Sequence, residues 1–259
     1  MIIDAHTHLS EGLAQITGPR AREAATPASY ARAFAARLTA LGVDRALVFT
    51  VEGLYGDCSR HNDELHRLSQ EAPDVLRPFC TVNPRDGDAA VEELRRCVEE
   101  LGMLGVKFHP WLQAFPPVHA GMAAIVEETI RLRVPMLFHD GTPPYSAPLQ
   151  IADLARRFPE AVIILGHSGL HDMWIEAVRA AERYQNVCLC TAGATLQGVR
   201  QALLAVGPGR VMFGTDFPML DDAGVILHRR LVEEAAGTEE ARRQVLSGTA
   251  LQVLPQLRA

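Results

Sequence analysis

The chain has 259 residues, of which 48% are hydrophobic and 22% charged, and these values are typical of a globular protein and exclude disordered and fibrous classes. The formal net charge of −6 comes from acidic and basic residues mixed along the chain. Because no Lys/Arg-rich stretch is present to neutralise phosphates, nucleic acid is not an expected partner. No apolar run is long enough to span a bilayer, and residues 1–6 lack the basic and apolar regions of a signal peptide. We therefore expect no membrane contact and a cytoplasmic location.

The predicted elements begin with a short apolar segment, and such segments then alternate with longer ones of helical period along the chain. The predicted strands are 2–6, 45–50, 77–82, 105–109, 134–139, 161–167, 186–191 and 210–215. Between them lie segments with apolar residues at three- and four-residue spacing, which predicts amphipathic helices, such as 29–41, 88–101, 121–132 and 171–184.

Strands that are apolar on both faces and separated by helices predict a parallel sheet. Because crossovers are right-handed, eight such units favour a closed (β/α)₈ TIM barrel of the α/β class over a doubly wound sheet. No linker, low-complexity stretch or change of composition divides the chain, so we predict one domain over residues 1–259. The longest irregular stretches, 9–27 and 111–118, are predicted substrate loops.

Two histidines end the first predicted strand. Side chains two residues apart on a strand point to the same side, so His6 and His8 should direct both imidazoles to one point in the barrel mouth. Barrel enzymes build their active sites at this end of the strands. The pair therefore predicts two metal ligands.

Three further polar residues follow apolar strands at the same end of the predicted barrel. His139 ends the fifth strand, His167 the sixth and Asp216 the eighth. Neutral imidazoles with one carboxylate suit one divalent metal, Zn²⁺ first, with Mn²⁺ and Fe²⁺ as alternatives, and leave a position open for water. A single histidine is more often packed or solvated than a ligand, but a barrel without catalysis has little reason to place this whole set after apolar strands.

The remaining histidines carry weaker signals. His61, His66 and His228 lie in helical patterns and are predicted to be surface residues, whereas His171 at a helix start is a weak candidate for contacting substrate. Asp4 precedes the histidine pair on the same strand, so we predict a structural role or one in orienting a ligand histidine.

Four motifs together resemble the amidohydrolase superfamily and, more narrowly, its amidohydrolase-2 branch, which includes the aminocarboxymuconate semialdehyde decarboxylases. The resemblance spans essentially the whole chain in the family order. It rests on IDAHTHL at 3–9, the strand end at His139, GHSG at 166–169 and GTDFP at 214–218.

The resemblance implies roles for five residues. His6, His8, His139 and Asp216 match the ligands of a single metal. His167 matches the histidine that acts as acid, base or electrostatic guide beside the metal. Asp216 would also take a proton from metal-bound water and pass it to the leaving group.

Lys107 and His109 lie on one face of the fourth predicted strand. In related branches of the superfamily a lysine on this strand is carboxylated and bridges two metals, and His167 would then be a ligand. The alternative is a lysine that stays a point charge and pairs with a substrate carboxylate or with Asp216. His109 either lines the pocket or merely ends its strand.

The ligand set predicts an enzyme that acts on a small molecule. Hydrolysis of an amide, lactone or related carbonyl bond by metal-activated water is the leading hypothesis. Non-oxidative decarboxylation on the same metal site is the alternative, and a barrel that binds a metal or ligand without turnover is the third hypothesis. Related enzymes often form homodimers, so a homodimer is an expectation, although no segment identifies its interface.

Overall fold

The computed structural model describes residues 1–12 and 26–258, in which eight strands alternate with helices. The strands are β1 (Ile3–His8), β2 (Arg45–Phe49), β3 (Leu76–Pro78), β4 (Val106–Phe108), β5 (Met136–Phe138), β6 (Ile163–Leu165), β7 (Val187–Cys190) and β8 (Val211–Met212). The helices after them are α1 (Pro27–Ala40), α2 (Cys58–Ser69), α3 (Asp88–Glu99), α4 (Met122–Leu132), α5 (Pro148–Arg157), α6 (Trp174–Arg183), α7 (Leu196–Val206) and α8 (Asp222–Ala235). The C-terminal part adds α9 (Glu239–Arg243), a π-helical turn (Gln244–Gly248) and α10 (Thr249–Val253).

The strands pair in parallel and in chain order, as β1-β2-β3 and β4-β5-β6-β7-β8. Two parallel bridges join these groups, one between Cys80 and Val106 and one between Thr7 and Phe217. The first connects β3 to β4, and the second connects β1 to the segment after β8. The sheet is therefore closed, which confirms the predicted (β/α)₈ barrel.

Two apolar layers follow from the alternation of side chains along the strands. One layer lies between strands and helices and includes Val106, Phe108 and Phe138. The other fills the barrel interior, where Ile3 of β1 packs in one cluster with Leu254 and Leu257 from the C-terminal segment. The apolar interior ends below the carboxyl ends of the strands, and polar side chains begin there.

The predicted helices agree with the structure to within a few residues, while several strands are shorter than predicted. The segment predicted as helix 88–101 forms α3, and the segment predicted as 171–184 forms α6. Of the predicted substrate loop 9–27, residues 13–25 lie outside the described residues. Among the helices described, none combines the length and apolar character that crossing a membrane requires.

Candidate metal centre

The two histidines of β1 lie at the mouth of the barrel with their rings 5.3 Å apart. Pairing between β1 and β2 is irregular between Asp4 and Thr7, where the strand bends. His6 Nδ1 donates a hydrogen bond to the carbonyl oxygen of Gly166 at 2.9 Å. A neutral imidazole that donates through Nδ1 has its lone pair on Nε2, so His6 presents to the mouth a nitrogen that could bind a metal and that lies 3.0 Å from Lys107 Nζ.

Asp216 brings a carboxylate to the same point. It follows β8 with φ at +63°, a left-handed conformation that Asp tolerates better than most residues. Its backbone N–H donates to the carbonyl oxygen of His6 at 2.8 Å, and its Oδ1 lies 3.0 Å from His8 Nε2 and 3.4 Å from His6 Nε2. The β1–β8 pairing therefore holds the three side chains together.

The three donor atoms fit a divalent metal. They lie within 4.8 Å of one another, and no other His, Cys, Asp or Glu group in residues 1–12 and 26–258 gathers three ligand atoms in this way. Burial alone would raise the pKa of Asp216, but the hydrogen bond from His8 and the nearby cationic groups lower it to about 2. Two imidazole nitrogens and one carboxylate form a ligand set that Zn²⁺, Mn²⁺ and Fe²⁺ all accept.

Asp4 ties β1 to the segment after β8 from below the cluster. Its carboxylate accepts hydrogen bonds from the backbone N–H of His6 at 3.0 Å, the backbone N–H of Thr215 at 3.1 Å and the Thr215 hydroxyl at 2.5 Å. Burial raises the pKa of Asp4 to about 7 despite these bonds. Asp4 contacts the backbone of a ligand histidine and not its ring, so it fixes where the strand runs.

Two glycines make room for the His6 ring. A Cβ on Gly166 would lie 2.6 Å from the carbonyl oxygen of Phe138 and 2.9 Å from His6 Cε1. A Cβ on Gly214 would lie 2.4 Å from Cys190 Sγ and 3.1 Å from His6 Cβ. A side chain at either position would first have to displace a neighbour, Phe138 at Gly166 or Cys190 at Gly214, and would also crowd His6.

His139 lies beside the cluster of candidate metal ligands formed by His6, His8 and Asp216 but is not part of it. Its Nε2 is hydrogen-bonded to Thr142 Oγ1 at 2.8 Å, and its ring stacks on His109 with centroids 3.7 Å apart and planes 9° from parallel. The ring of His167 lies 4.5 Å away. The role of His139 as a fourth ligand stays a prediction, and coordination through Nε2 would require this nitrogen to leave Thr142.

His167 lies between the cluster and His139 and is only 3% exposed. Asp140 holds its loop by accepting the backbone N–H groups of His167 and Gly169, both at 2.6 Å. The ring donates through Nδ1 to the carbonyl oxygen of Ala192 at 3.0 Å, which leaves Nε2 with a free lone pair. Burial lowers the pKa of His167 to about 4, so the ring is neutral near pH 7.

Lys107 is 1% exposed and is the cation beside the cluster. Its Nζ lies 3.0 Å from His6 Nε2 and 5.1 Å from the centroid of the Phe49 ring. Burial lowers its pKa to about 8, and burial together with the charge of Lys107 lowers the pKa of His109 to about 3. Both residues lie at the predicted place, but whether they bind substrate or bridge a second metal stays a prediction.

A cavity of about 620 Å³ opens beside the cluster. His167 and Asp216 form one wall, and the rest includes apolar side chains from α8 and the loops after β5 to β8. His171, the weak substrate-contact candidate, also lines this cavity. The prediction for His228 was wrong, because this residue is 3% exposed and faces the cavity.

Comparison with known families decides the classification. The model of the family described as Amidohydrolase, the amidohydrolase-2 branch, matches residues 3–256, which is nearly the whole chain. The chain belongs to the amidohydrolase family. This classification agrees with the resemblance seen in the motifs IDAHTHL, GHSG and GTDFP.

Several known proteins are similar to this amidohydrolase. A γ-resorcylate decarboxylase of Rhodococcus jostii strain RHA1 is 28% identical over 246 residues, or 73% of each chain. A 2,6-dihydroxybenzoate decarboxylase from Rhizobium has a TM-score of 0.75 at 19% identity and covers 98% of both chains. A dihydroxybenzoic acid decarboxylase from Polaromonas sp. JS666, solved with manganese and 2-nitroresorcinol, has a TM-score of 0.75 at 20% identity over 100% of this chain and 98% of the other. The two structures support the barrel fold.

The sequence did not reveal every residue that shapes this amidohydrolase site. Asp140 directly follows His139 and is fully buried, and that adjacency could have flagged it. Thr142 and His228 gave no comparable signal, because a threonine in a loop and a histidine on a helix are common on protein surfaces.

Proposed function

We propose that this amidohydrolase is a metal-dependent decarboxylase that removes CO₂ from a small hydroxylated aromatic acid. The observation that carries the proposal is the buried cation at Lys107, 3.0 Å from the His6 nitrogen that would bind the metal. A carboxylate substrate needs such a charge, and a neutral amide or lactone does not. The similarity to γ-resorcylate decarboxylases supports the same reaction.

His6 Nε2, His8 Nε2 and Asp216 Oδ1 would hold the metal, and His139 would join them by exchanging its bond to Thr142. A divalent ion, when bound, supplies positive charge that binds the oxygen atoms of the substrate. Manganese in the Polaromonas relative makes Mn²⁺ as good a candidate as Zn²⁺.

The residues of the chain have three tasks in this reaction. Lys107, which lies beside the three metal donors and not on the cavity wall, would balance the charge of a carboxylate bound at the metal, and the aromatic ring would lie against the leucine side chains of the cavity. The bond between the ring carbon and the carboxyl carbon breaks, CO₂ leaves, and the electron pair stays on the ring carbon, which takes up one proton. His167 lines the cavity and carries its ring proton on Nδ1, so its unprotonated Nε2 would take this proton from solvent and pass it to the ring carbon. A volume of about 620 Å³ suits a small aromatic acid.

Hydrolysis, the leading hypothesis from the sequence, has less support than its alternative. The metal ligands suit both reactions, but the relatives described above are decarboxylases. A barrel without turnover would not need a neutral imidazole and a buried ammonium beside the three metal donors.

The deciding experiment incubates the protein, loaded with Mn²⁺ or Zn²⁺, with 2,6-dihydroxybenzoate and related hydroxybenzoates, and in parallel with a panel of amides and lactones. We expect saturable CO₂ release with one decarboxylated phenol per CO₂, abolished by a chelator and restored by metal. Acid release from an amide or lactone without CO₂ from any benzoate would overturn the proposal.

A further inference from the structure

His228 is a buried histidine of α8 that contacts none of the three metal donors, although it lines the same cavity. Its Nδ1 donates to the carbonyl oxygen of Gly224, one turn earlier in the helix, at 2.8 Å. Nε2 therefore has its lone pair free, and it accepts the backbone N–H of Gly193 at 3.0 Å. His228 of α8 thus holds the backbone amide of Gly193 in the loop after β7.

The same peptide unit also holds His167. Its N–H belongs to Gly193 and binds His228, while its C=O belongs to Ala192 and accepts the Nδ1–H of His167 at 3.0 Å. Hydrogen bonds that share one amide strengthen each other, because donation from the N–H makes the carbonyl oxygen a better acceptor. A continuous chain of hydrogen bonds therefore runs from α8 through one peptide to the ring beside the cluster.

The loop after β7 has a glycine where the peptide between Ala192 and Gly193 comes close to His167. Gly193 has φ at +70°, and a Cβ there would lie 2.9 Å from Leu170 Cδ2 and 3.5 Å from His167 Nδ1. A residue with a side chain is disfavoured in this conformation and would meet Leu170. The lack of a side chain at Gly193 therefore leaves room for this peptide between His228 and His167.

We infer that His228 is a positioning residue which, through the peptide between Ala192 and Gly193, holds His167 with its proton on Nδ1 and Nε2 facing the cavity. The catalytic side of this inference rests on the proposed function, in which Nε2 of His167, unprotonated in this tautomer, takes a proton from solvent and passes it to the ring carbon. The inference about the tautomer of His167 is structural, so it does not depend on which reaction the protein catalyses.

Two substitutions distinguish the effect of losing the hydrogen bond from the effect of changing the shape of the His228 side chain. His228→Leu removes the acceptor, whereas His228→Gln can still accept the Gly193 N–H through Oε1. His228→Met is a second apolar variant of different shape, for the case that His228→Leu does not fold. His119→Leu is the matched control, because His119 Nδ1 also accepts a glycine N–H, from Gly121 at 3.1 Å, away from the cluster.

The first readout is ¹⁵N NMR of the histidine rings in the zinc-loaded protein, with the His167 signals assigned by their loss in His167→Asn. In the wild type we expect a protonated Nδ1 and an unprotonated Nε2 for His167. In His228→Leu or His228→Met the two shifts should move towards each other as the tautomers mix, and His228→Gln and His119→Leu should resemble the wild type. Unchanged shifts in both apolar variants would overturn the inference even if the protein proves to be no decarboxylase.

The second readout is steady-state kinetics on the substrate found above. Loss of a hydrogen bond that orients a catalytic group typically costs about 10- to 100-fold in activity, so His228→Leu should lower kcat by that factor with little change in KM. His228→Gln should recover most of kcat, and His119→Leu should match the wild type. A rise in KM alone, or a His228→Gln variant as slow as His228→Leu, would reduce His228 to a wall of the cavity and contradict the inference.

Discussion

The two sides of the barrel mouth are held in different ways. On the seam side, which comprises His6, His8 and Asp216, backbone hydrogen bonds between β1 and the segment after β8 set the positions of the donors. On the stacked side, which comprises His109 and His139, ring stacking and a threonine hydroxyl set them. The seam side is therefore arranged for a metal in advance, whereas the stacked side can change by rotating a side chain.

Asp216→Asn tests the seam side most severely. It removes the carboxylate that would bind the metal and that, by the family resemblance, would also transfer a proton, so we expect kcat to fall by about 10²- to 10⁴-fold and metal affinity to fall with it. Asn also tolerates the left-handed conformation and keeps the backbone bond to His6, so the fold should persist. Circular dichroism and thermal unfolding provide the control, and a variant with wild-type kcat would rule out the proposed centre.

Asp4→Ala tests whether the carboxylate below the cluster holds the seam. The change leaves two backbone N–H groups and one hydroxyl without their acceptor, which should cost about 2–4 kcal/mol of the free energy of unfolding. Urea denaturation of the metal-free protein measures this loss. A difference from the wild type below about 0.5 kcal/mol, a typical effect of a surface substitution, would show that the three bonds are not needed.

The pH dependence of stability should combine two contributions of opposite sign, one from the buried imidazoles and one from Asp4. Burial lowers the pKa of His109 from 6.5 to about 3, so only the unfolded chain takes up this proton below pH 6.5, and stability is lost as the pH falls. His167, His139 and His6 act in the same direction. For Asp4 the pKa rises from 3.8 to about 7, so its contribution is lost as the pH rises between these values.

Because these imidazoles outnumber the carboxyl groups with raised pKa values, the metal-free protein should lose stability as the pH falls from 6.5 towards 4. Chemical denaturation at several pH values measures the slope. In Asp4→Asn the loss should be steeper, since the opposing group is gone. A slope of the opposite sign in the wild type would mean that the imidazoles are not buried as neutral groups.

Lys107→Met sharpens the comparison by removing the cation between the two sides. If Lys107 is a point charge, metal binding stays at one ion per chain, and KM for the carboxylate substrate rises by about tenfold, as for loss of a charged hydrogen bond. Metal analysis of wild type and variant decides this. Two ions in the wild type and one in the variant would instead establish the carboxylated bridge.

Thr142→Val addresses the stacked side alone and should have the smallest effect. It frees His139 Nε2 from the hydroxyl, so if His139 is a ligand, metal affinity should stay the same or rise, by no more than about tenfold, the value of one neutral hydrogen bond. Competition with a coloured chelator measures the affinity, and Thr142→Ser, which keeps the hydroxyl, is the control. A large fall in affinity would show that Thr142 itself supports the bound state.

Prediction from sequence succeeded where one local rule was sufficient. Strand alternation placed His6 and His8 together, and the repeat of strand and helix gave the barrel. Strand lengths were overestimated, because residues such as Phe213 continue the apolar pattern but donate their backbone N–H to Val245 of the C-terminal turn and not to a strand. An apolar pattern reports burial, not the partner of the backbone.

Prediction failed where a residue's partner lies far away along the chain. His228 looked like a surface residue of α8, and its burial depends on a loop amide at Gly193 that no periodicity reveals. The bond from Thr142 to His139 likewise depends on the path of a loop. A single sequence does not encode such paths in any simple period.

The contact of Ile3 with Leu254 and Leu257, together with the β1–β8 pairing, determines when this centre can form. During synthesis β1 is made well before its partner across the seam, because His8 and Asp216 are 208 residues apart. A nascent chain that stops before β8 presents His6 and His8 without a carboxylate and with the floor of the barrel open. We therefore expect a metal held by His6, His8 and Asp216 together to bind only after the segment that contains Asp216 has been synthesised.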